Sequence, residues 1–274
     1  MKKGGYKMIE GITIIYPALF NELSEPWDAE YQISETVGFN VYKFEEDTLA
    51  IKKDLSNQLV IYRGWMLSVN DYKKLSKNVE SKGGVMFIPV DQFKKANSFS
   101  NWYNVLQRYT MESYFIRDFD ELDKYFKDGE AFFVKDDLKS LGSKQSIAYS
   151  KDEAISIYNK IQDNRDYVLE NNGICLREII ELDNEERFFA IDGKIIGTHT
   201  DKDRLSLAEK VAKDIYKRLG LMAISIDIAH SNIKNVLVEV GGFQVSDMDK
   251  EGDLVKIEEF YKDLLQSVKE IVGL

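Results

Sequence analysis

Short apolar strands alternate with helix-like segments through the first ninety residues, and this alternation constrains the fold more than any other feature. The run GITIIY at 11–16 has the character of a buried strand. The segment 27–38 predicts a helix with Asp28 as its N-cap and Gly38 as its stop, and a second strand follows at 39–44. This order is typical of parallel neighbours in an open α/β sheet.

The same order repeats immediately. LVIYRGWML at 59–67 begins as a strand, Asn70 is placed to cap a helix, and Gly83-Gly84 ends that helix before the strand-like VMFIP. One face of this helix is apolar and is formed by Tyr72, Leu75 and Val79. The first third of the chain is therefore predicted to form a small α/β sheet with parallel neighbours.

Beyond about residue 110 the pattern changes to paired strands. EAFFVKDD at 130–137 reads as a short strand, a helix begins near Ser150, and ERFFAIDGKIIG predicts a hairpin that turns at Asp192-Gly193. A second helix at 204–220 carries one apolar stripe. The second part is therefore predicted to be α+β, with mainly antiparallel sheets.

Composition narrows the classes of function. The 274 residues correspond to two domains at roughly 150 residues each. A net charge of −10 argues against nucleic acid as a partner, because nonspecific affinity for it comes from clustered Lys and Arg. No apolar run approaches the roughly 18 residues that span a bilayer, and the start MKKGGYK lacks a secretory apolar region. We therefore expect a cytoplasmic protein with no membrane partner.

The supply of metal ligands is also limited. The single cysteine, Cys175, excludes a cysteine zinc cluster and an internal disulfide, and His199 and His230 are the two histidines. Any metal must therefore be held mainly by carboxylates.

Two carboxylates stand in apolar strands late in the chain. MAISIDIAHSNIKNVLVEVGGFQ reads as two strands joined by a tight turn, with Asp227 in the first and Glu239 in the second. If the turn is centred on Ile233, these residues lie directly across the ladder with Cβ atoms about 5 Å apart. Along the second strand, Val236, Val238 and Val240 then share one face, and Glu239 lies on the other face. A register slip of one residue would instead leave the two carboxylates on different faces, as ordinary solvated groups.

Facing carboxylates destabilise a sheet unless a cation or a shared proton relieves their repulsion. A divalent ion is the natural solution. Oxygen ligands favour a hard ion, and magnesium commonly bridges one or two carboxylates to the phosphates of a nucleotide. The pair therefore predicts a magnesium–nucleotide site.

Three basic residues become candidates beside this pair. Lys135 ends the strand AFFVK, and the polar segment with Gly142 that follows is placed to close over phosphates, although a lysine at a strand end is usually solvated. Arg187 opens the strand ERFFA, where a guanidinium suits phosphate charge or a surface ion pair. Arg63 follows a strand at the edge where open sheets bind ligands, which makes it a substrate contact or a structural ion pair.

A strand ending in Lys135, a flexible loop, LREIIEL, ERFFAIDGKIIG, a helix, ISIDIA and VLVEVGG follow one another along the chain. This ordered series resembles compact bacterial and phage members of the ATP-grasp superfamily, although no single motif in it is highly specific. The resemblance implies an α/β N-terminal domain at 1–110, the open-sheet pre-ATP-grasp domain. An α+β ATP-grasp domain with mainly antiparallel sheets follows at 111–274, with a lid at 111–182 and a catalytic part at 183–274.

The resemblance also implies roles for single residues. Lys135 matches the lysine that contacts the α- and β-phosphates of ATP, with Ser143 in the loop beside them. Arg187 matches the arginine aimed at the transferred phosphoryl group, and Asp227 and Glu239 match the first two magnesium ligands. The hinge beside adenine and the residues near the ribose fall at Glu178, Ile179, Ile180, and Glu181 or Glu185.

One position departs from the pattern of the superfamily. Members usually carry asparagine two residues after the metal-binding glutamate, and here that position is Gly241. One metal ligand is therefore missing or supplied by another group such as Gln244. The departure places the second metal and catalysis in question.

The resemblance implies an ATP- and Mg²⁺-dependent ligase. A substrate carboxylate attacks the γ-phosphate, and an amine captures the resulting acylphosphate to give an amide, so the partners are small-molecule or peptide carboxylates and amines. Two alternatives remain open at this point. One is a nucleotide-binding module without catalysis, and the other is a phosphotransferase that needs no amine.

Overall fold

The computed structural model describes residues 9–23, 26–127, 129–138, 140–142, 144–164, 173–248 and 253–274. The strands in these ranges are β1 (Gly11–Ala18), β2 (Asn40–Glu45), β3 (Gln58–Tyr62), β4 (Val85–Met86), β5 (Ser113–Ile116), β6 (Phe132–Lys135), β7 (Ile147–Ala148), β8 (Ile174–Arg177), β9 (Glu186–Ile191), β10 (Lys194–Ile196), β11 (Ala223–His230) and β12 (Asn235–Gly242). The α-helices are α1 (Trp27–Val37), α2 (Val69–Ser81), α3 (Val90–Asn97), α4 (Phe99–Leu106), α5 (Lys151–Asp163), α6 (Lys202–Leu219) and α7 (Leu254–Val272).

The N-terminal sheet has the strand order β2-β1-β3-β4, and all neighbours in it are parallel. This is the arrangement that the alternation of strands and helices predicted. The apolar face predicted for α2 is fully buried. Helix α7 packs against α1, and its side chains enter the same core as those of β1. The buried residues that α7 contributes to this core are Ile257, Phe260, Tyr261, Leu264 and Val268.

Two predicted N-caps are wrong, because the N-cap of each helix lies two residues earlier in the chain. Helix α1 begins before Asp28, which lies in the first turn, where a negative charge favours the helix dipole. Helix α2 is capped by Ser68, whose Oγ accepts a hydrogen bond from the N–H of Asp71, so Asn70 lies inside the helix. The predicted stop of α1 at Gly38 is confirmed.

The middle sheet has the order β5-β8-β6-β7 and the C-terminal sheet the order β10-β9-β11-β12, with antiparallel neighbours throughout. The β9–β10 hairpin turns at Asp192 and Gly193, whose φ angles of 52° and 74° suit the Asp-Gly turn read from the sequence. Helix α5 begins near Ser150 as predicted, and Ser150 is its N-cap. The prediction of a mainly antiparallel second part is confirmed. Within the described ranges, no helix combines the length and apolar character needed to cross a bilayer.

A buried ion pair ties the N-terminal sheet to the chain that follows β12. Arg63, just after β3, is 0% exposed, and its Nε and Nη2 donate to the two carboxylate oxygens of Glu30 on α1 at 2.9 and 2.8 Å. Arg63 Nη1 donates to the carbonyl of Phe243, and Glu30 accepts from the N–H of Met248 at 3.1 Å. The ion pair therefore holds both ends of the segment 243–248.

The charge on Arg63 is stabilised by its partner. Burial alone disfavours a charged guanidinium, but the carboxylate of Glu30 outweighs burial and raises the pKa of Arg63. Tyr261 of α7 also donates to Glu30, and burial together with that negative charge raises the pKa of the phenol. Arg63 thus forms the structural ion pair that the sequence left open. Its complete burial does not fit a contact with substrate, because no atom of it is accessible.

Candidate functional site

The two carboxylates lie face to face in the C-terminal sheet. Asp227 of β11 is opposite Glu239 of β12, which is the pairing that the sequence predicted. The turn itself differs from the prediction, because His230 pairs with Asn235 and the centre therefore falls half a residue before Ile233.

A β-bulge in β12 compensates for this difference. Between the carboxylate pair and the pair Ile228–Leu237, Val238 has no partner across the ladder. The extra residue reverses the alternation along β12, so Leu237 lies in the apolar core with Val240. The predicted common face of Val236, Val238 and Val240 is therefore wrong. The bulge is what allows Glu239 to face Asp227 while Leu237 remains buried.

Both carboxylate oxygens of Asp227 accept hydrogen bonds from Arg187. Arg187 lies opposite Asp227 on the neighbouring strand β9, and its Nε and Nη2 donate to Oδ1 and Oδ2 at 2.8 and 2.9 Å. Its Nη1 donates to Oδ1 of Asp247 at 2.5 Å. Burial on its own lowers the pKa of Arg187, but the hydrogen bonds and charge of Asp227, with the charge of Asp247, raise it. The guanidinium is therefore a permanent cation shared between two carboxylates.

Lys135 neutralises the other carboxylate. It ends β6, is 3% exposed, and its Nζ donates to Oε1 of Glu239 at 2.8 Å. Partial desolvation raises the pKa of Glu239, but the charge and hydrogen bond of Lys135, together with Arg177 and Arg187, lower it below the ordinary value. The Glu239 side chain is 41% exposed, so a ligand can reach the carboxylate. We call the following residues the ion-pair cluster: Lys135, Arg187, Asp227 and Glu239.

Arg177 is a further cation at this place, and the sequence analysis did not assign it a role. It ends β8, is almost fully buried, and its Nη1 donates to the carbonyl of Val238 at 2.9 Å, which joins the middle and C-terminal sheets. Its guanidinium and the Lys135 ammonium lie 5.2 and 5.3 Å from the ring centroid of Phe99. Its Nη2 has no hydrogen-bond partner among the described residues, which suits an anionic ligand. The available signal in the sequence was an arginine at the end of the apolar, strand-like run ICLR.

A cavity of about 400 Å³ lies beside the ends of the two antiparallel sheets. Its walls include Glu178, Ile180 and Glu181 after β8, and the turn 231–234 between β11 and β12. Thr110 also lines it, and the Thr110 hydroxyl is buried without a hydrogen-bond partner in the described part of the chain. Cavities of this size, with apolar walls and a few polar groups, commonly bind small molecules and cofactors.

The cavity includes some of the predicted nucleotide residues and leaves out others. Glu178, Ile180 and Glu181 line it, whereas Ile179 is 43% exposed outside the lining and Glu185 is also outside it. The predicted contact at Ser143 lies outside the described residues.

Comparison with known proteins adds evidence on the fold. Neither a protein-family sequence model nor the sequence of a curated protein matches the chain. The structure is similar to that of the D-cycloserine synthetase DcsG, with 12% sequence identity, coverage of 95% of this chain and 99% of that one, and a TM-score of 0.66. A RimK domain ATP-grasp protein from Sphaerobacter thermophilus DSM 20745 is similar at 12% identity, 93% and 99% coverage, and a TM-score of 0.61. The chain has the ATP-grasp fold.

A third similar structure is that of the ATP-grasp ligase PsnB complexed with minimal precursor, Mg and ADP. It has 12% sequence identity, covers 95% of this chain and 98% of that one, and gives a TM-score of 0.54. The fold that the ordered series of strands and helices indicated is thus confirmed.

The side chains around Gly241 occupy the space next to this residue. The resemblance leads us to expect asparagine there. A Cβ atom at Gly241 would lie 2.8 Å from Ser225 Oγ and 3.4 Å from Ser246 Oγ. The two hydroxyls are hydrogen-bonded to each other at 2.7 Å. A pair of serine side chains therefore occupies space that an asparagine side chain would need.

Gln244 does not replace that asparagine. Gln244 is almost fully buried, and its Oε1 lies 3.1 Å from where a Cβ of Gly242 would be. Because successive residues of a strand face opposite sides, this amide lies on the side of β12 away from Gly241 and the carboxylate pair. The expected role of Gln244 as a metal ligand does not fit this placement.

The remaining oxygen donors fit magnesium in combination with phosphate. Across the described ranges, no three or more His, Cys, Asp or Glu side chains form a group that could hold a metal by themselves. Asp227 and Glu239 supply two carboxylates, and magnesium commonly completes its coordination with water and substrate phosphates. The site therefore suits a metal that arrives with a nucleotide.

Gly241→Asn is expected to destabilise the protein by about 1–3 kcal/mol, because the new side chain overpacks the serine pair. In a background that carries Ser225→Ala, the same substitution should cost less, since the nearest atom is gone. Chemical denaturation of the four proteins measures both costs. Equal costs in the two backgrounds would show that the serine pair is not the obstacle.

Proposed function

We propose that the protein is an ATP- and Mg²⁺-dependent ligase that joins a carboxylate to an amine through an acylphosphate. The observation that carries this proposal is the ion-pair cluster, in which two cations cover two facing carboxylates. A cavity of about 400 Å³, lined by Val236 of the same strand as Glu239, accompanies it. The ATP-grasp fold supports the reaction class, and PsnB is an ATP-grasp ligase whose structure contains a precursor, Mg and ADP.

The cluster suits the binding of a triphosphate with its metal. Asp227 and Glu239 provide the oxygen ligands for magnesium, while Lys135 and Arg187 turn from these carboxylates towards phosphate oxygens. Arg177, whose Nη2 has no hydrogen-bond partner among the described residues, adds a third positive charge that acts on Glu239. When bound, magnesium supplies positive charge that stabilises the transferred phosphoryl group.

The reaction then follows from positioning and charge. An oxygen of the substrate carboxylate forms a bond to the γ-phosphorus, and the bond from that phosphorus to the ADP oxygen breaks. The amine nitrogen then attacks the acyl carbon, inorganic phosphate leaves, and the nitrogen loses a proton to give the amide. Arg187 is the residue that we assign to the transferred phosphoryl group, and Lys135 the one that we assign to the α- and β-phosphates.

The cavity is our proposed site for the nucleoside. Met111, Ile180 and Val236 give it apolar walls for the base, and Glu181 is better placed than Glu185 for the ribose hydroxyls, because only Glu181 of these two lines it. We retain the segment after Lys135, including Ser143, as the proposed cover over the phosphates. Domain limits of 1–110 and 111–274, with a lid at 111–182, remain part of the same proposal.

The second candidate function is a nucleotide-binding module without catalysis. The serine pair beside Gly241 favours it, because an expected ligand position for a metal is filled by hydroxyl groups that bind each other. A phosphotransferase that stops after moving the γ-phosphate is the remaining alternative.

Two measurements on the full chain separate these functions. Isothermal titration is expected to show that Mg·ADP binds; absence of binding would exclude all three functions. A screen of amino acids and short peptides with ATP should then release ADP and inorganic phosphate when carboxylate and amine are both present, with mass analysis of the amide. ADP with a stable phosphorylated product and no amine requirement would indicate a phosphotransferase, whereas binding without any ADP release would indicate the non-catalytic module.

A further inference from the structure

Asp247 is the second carboxylate bound to Arg187, and the proposed function gives it no task. Its Oδ1 accepts from Arg187 Nη1 at 2.5 Å, and its carbonyl accepts from the same nitrogen at 3.3 Å. Its side chain is 27% exposed, so the ion pair is partly protected from solvent. The two carboxylates therefore share the guanidinium, with Asp227 on Nε and Nη2 and Asp247 on Nη1.

A metal ion and Arg187 compete for Asp227. Both oxygens of Asp227 accept hydrogen bonds from Arg187, so the carboxylate can bind a metal well only if the guanidinium moves at least partly away. An arginine that loses its bidentate partner has many accessible rotamers, and holding it in one place costs conformational entropy. When Asp227 gives up Arg187 to bind a metal, the hydrogen bond from Arg187 to Asp247 can remain.

Asp247 is itself held firmly. The preceding residue, Ser246, is buried, and its hydroxyl bonds to Ser225 Oγ at 2.7 Å and to the carbonyl of Gly242 at 3.1 Å. The following residue, Met248, donates its N–H to the buried carboxylate of Glu30 at 3.1 Å. The backbone on both sides of Asp247 is thus tied to buried groups.

We propose that Asp247 is a positioning residue that keeps Arg187 aimed at the transferred phosphoryl group after Asp227 has turned to the metal. This inference rests on the proposed function, because it presumes that a metal-bound nucleotide occupies the cluster. In the exchange, Arg187 keeps its bond through Nη1 and turns Nε and Nη2 from Asp227 towards phosphoryl oxygens.

The test uses Mg·ADP with and without aluminium fluoride, a mimic of the transferred phosphoryl group that needs no substrate. Isothermal titration gives the dissociation constant of Mg·ADP in each case, and the ratio is the gain due to the mimic. We expect wild-type protein to bind more tightly with the fluoride. In Asp247→Ala this gain should fall by about 10- to 100-fold, while the affinity for Mg·ADP alone stays within a factor of about three.

Three further variants make the result specific. Asp247→Asn keeps an acceptor oxygen and should recover part of the gain. Arg187→Met should lose the gain, and adding Asp247→Ala to it should cause no further loss, because the two residues act as one unit. Asp214→Ala is the matched control, since it removes the carboxylate from a second arginine–aspartate pair, in which Asp214 is partly exposed like Asp247 and binds Arg108.

The possible failures are distinguishable. If wild-type protein does not bind Mg·ADP, the proposed function fails. If it binds Mg·ADP but gains nothing from the fluoride, Arg187 does not serve a phosphoryl group and the inference is overturned while nucleotide binding stands. A full gain in Asp247→Ala, or losses that add in the double variant, would overturn the inference alone.

Discussion

Asp227→Asn is expected to lower Mg²⁺-dependent ADP release by about 100- to 1000-fold and to leave the protein folded. The amide removes a charged ligand that the metal needs, and loss of one electrostatic contact in comparable active sites has an effect of this size. Folding should survive because Arg187 keeps its bond to Asp247, so no buried cation loses all its partners.

Glu239→Gln should remove activity to a similar extent but should also reduce stability. Its partner Lys135 is 3% exposed and would be left with an amide oxygen in place of a carboxylate. Hydrogen bonds to charged groups contribute about 1.5–3 kcal/mol, and we expect a loss in the lower half of this range. Coupled ADP release measures activity, and urea denaturation measures stability, with Asp214→Asn as the control. Near-normal ATP consumption in both variants would refute the assignment of the metal to this pair.

Glu30→Gln is expected to lower the free energy of unfolding by about 3–5 kcal/mol. The substitution leaves the guanidinium of Arg63 buried without a carboxylate, and breaking a buried ion pair from one side has a cost of this size. It also weakens the acceptor for Tyr261 and for the N–H of Met248.

Two comparisons show whether this cost comes from the buried charge. Glu35→Gln makes the same chemical change on an exposed residue of the same helix, and should alter the free energy of unfolding by less than about 0.5 kcal/mol. Adding Arg63→Met to Glu30→Gln removes the unpaired cation and should restore part of the stability. If Glu30→Gln costs less than about 1 kcal/mol in urea denaturation, the ion pair does not stabilise the fold as described.

The pairing of Asp227 with Glu239 was predictable, but the way in which the chain achieves it was not. The pairing was predicted from a turn centred on Ile233, which is half a residue too late, and the bulge compensates for that error. The bulge at Val238 was hidden, because a single residue without a cross-strand partner leaves no mark on the composition of a strand. The donation from Arg177 to the Val238 carbonyl comes from another sheet, and local sequence does not reveal such a contact.

The fold class was readable because it depends on repeated local patterns. Parallel neighbours followed from strands and helices in alternation, and the hairpin at Asp192-Gly193 followed from the chemistry of one dipeptide. Arg63 was harder, since its partner Glu30 lies on a different element and only the folded chain brings them together. Asp247 was missing from the predicted site for the same reason. Its contact with Arg187 exists only in the folded chain.

Helix α7 has a consequence for the order in which the chain folds during synthesis. The strands of the N-terminal sheet are synthesised well before α7, yet α7 supplies part of their apolar core. Until α7 emerges, nascent N-terminal residues expose apolar surface that is buried in the finished protein, a condition that favours chaperone binding and aggregation. Truncations that remove α7 should therefore yield insoluble protein even though they leave intact every strand that the structure describes.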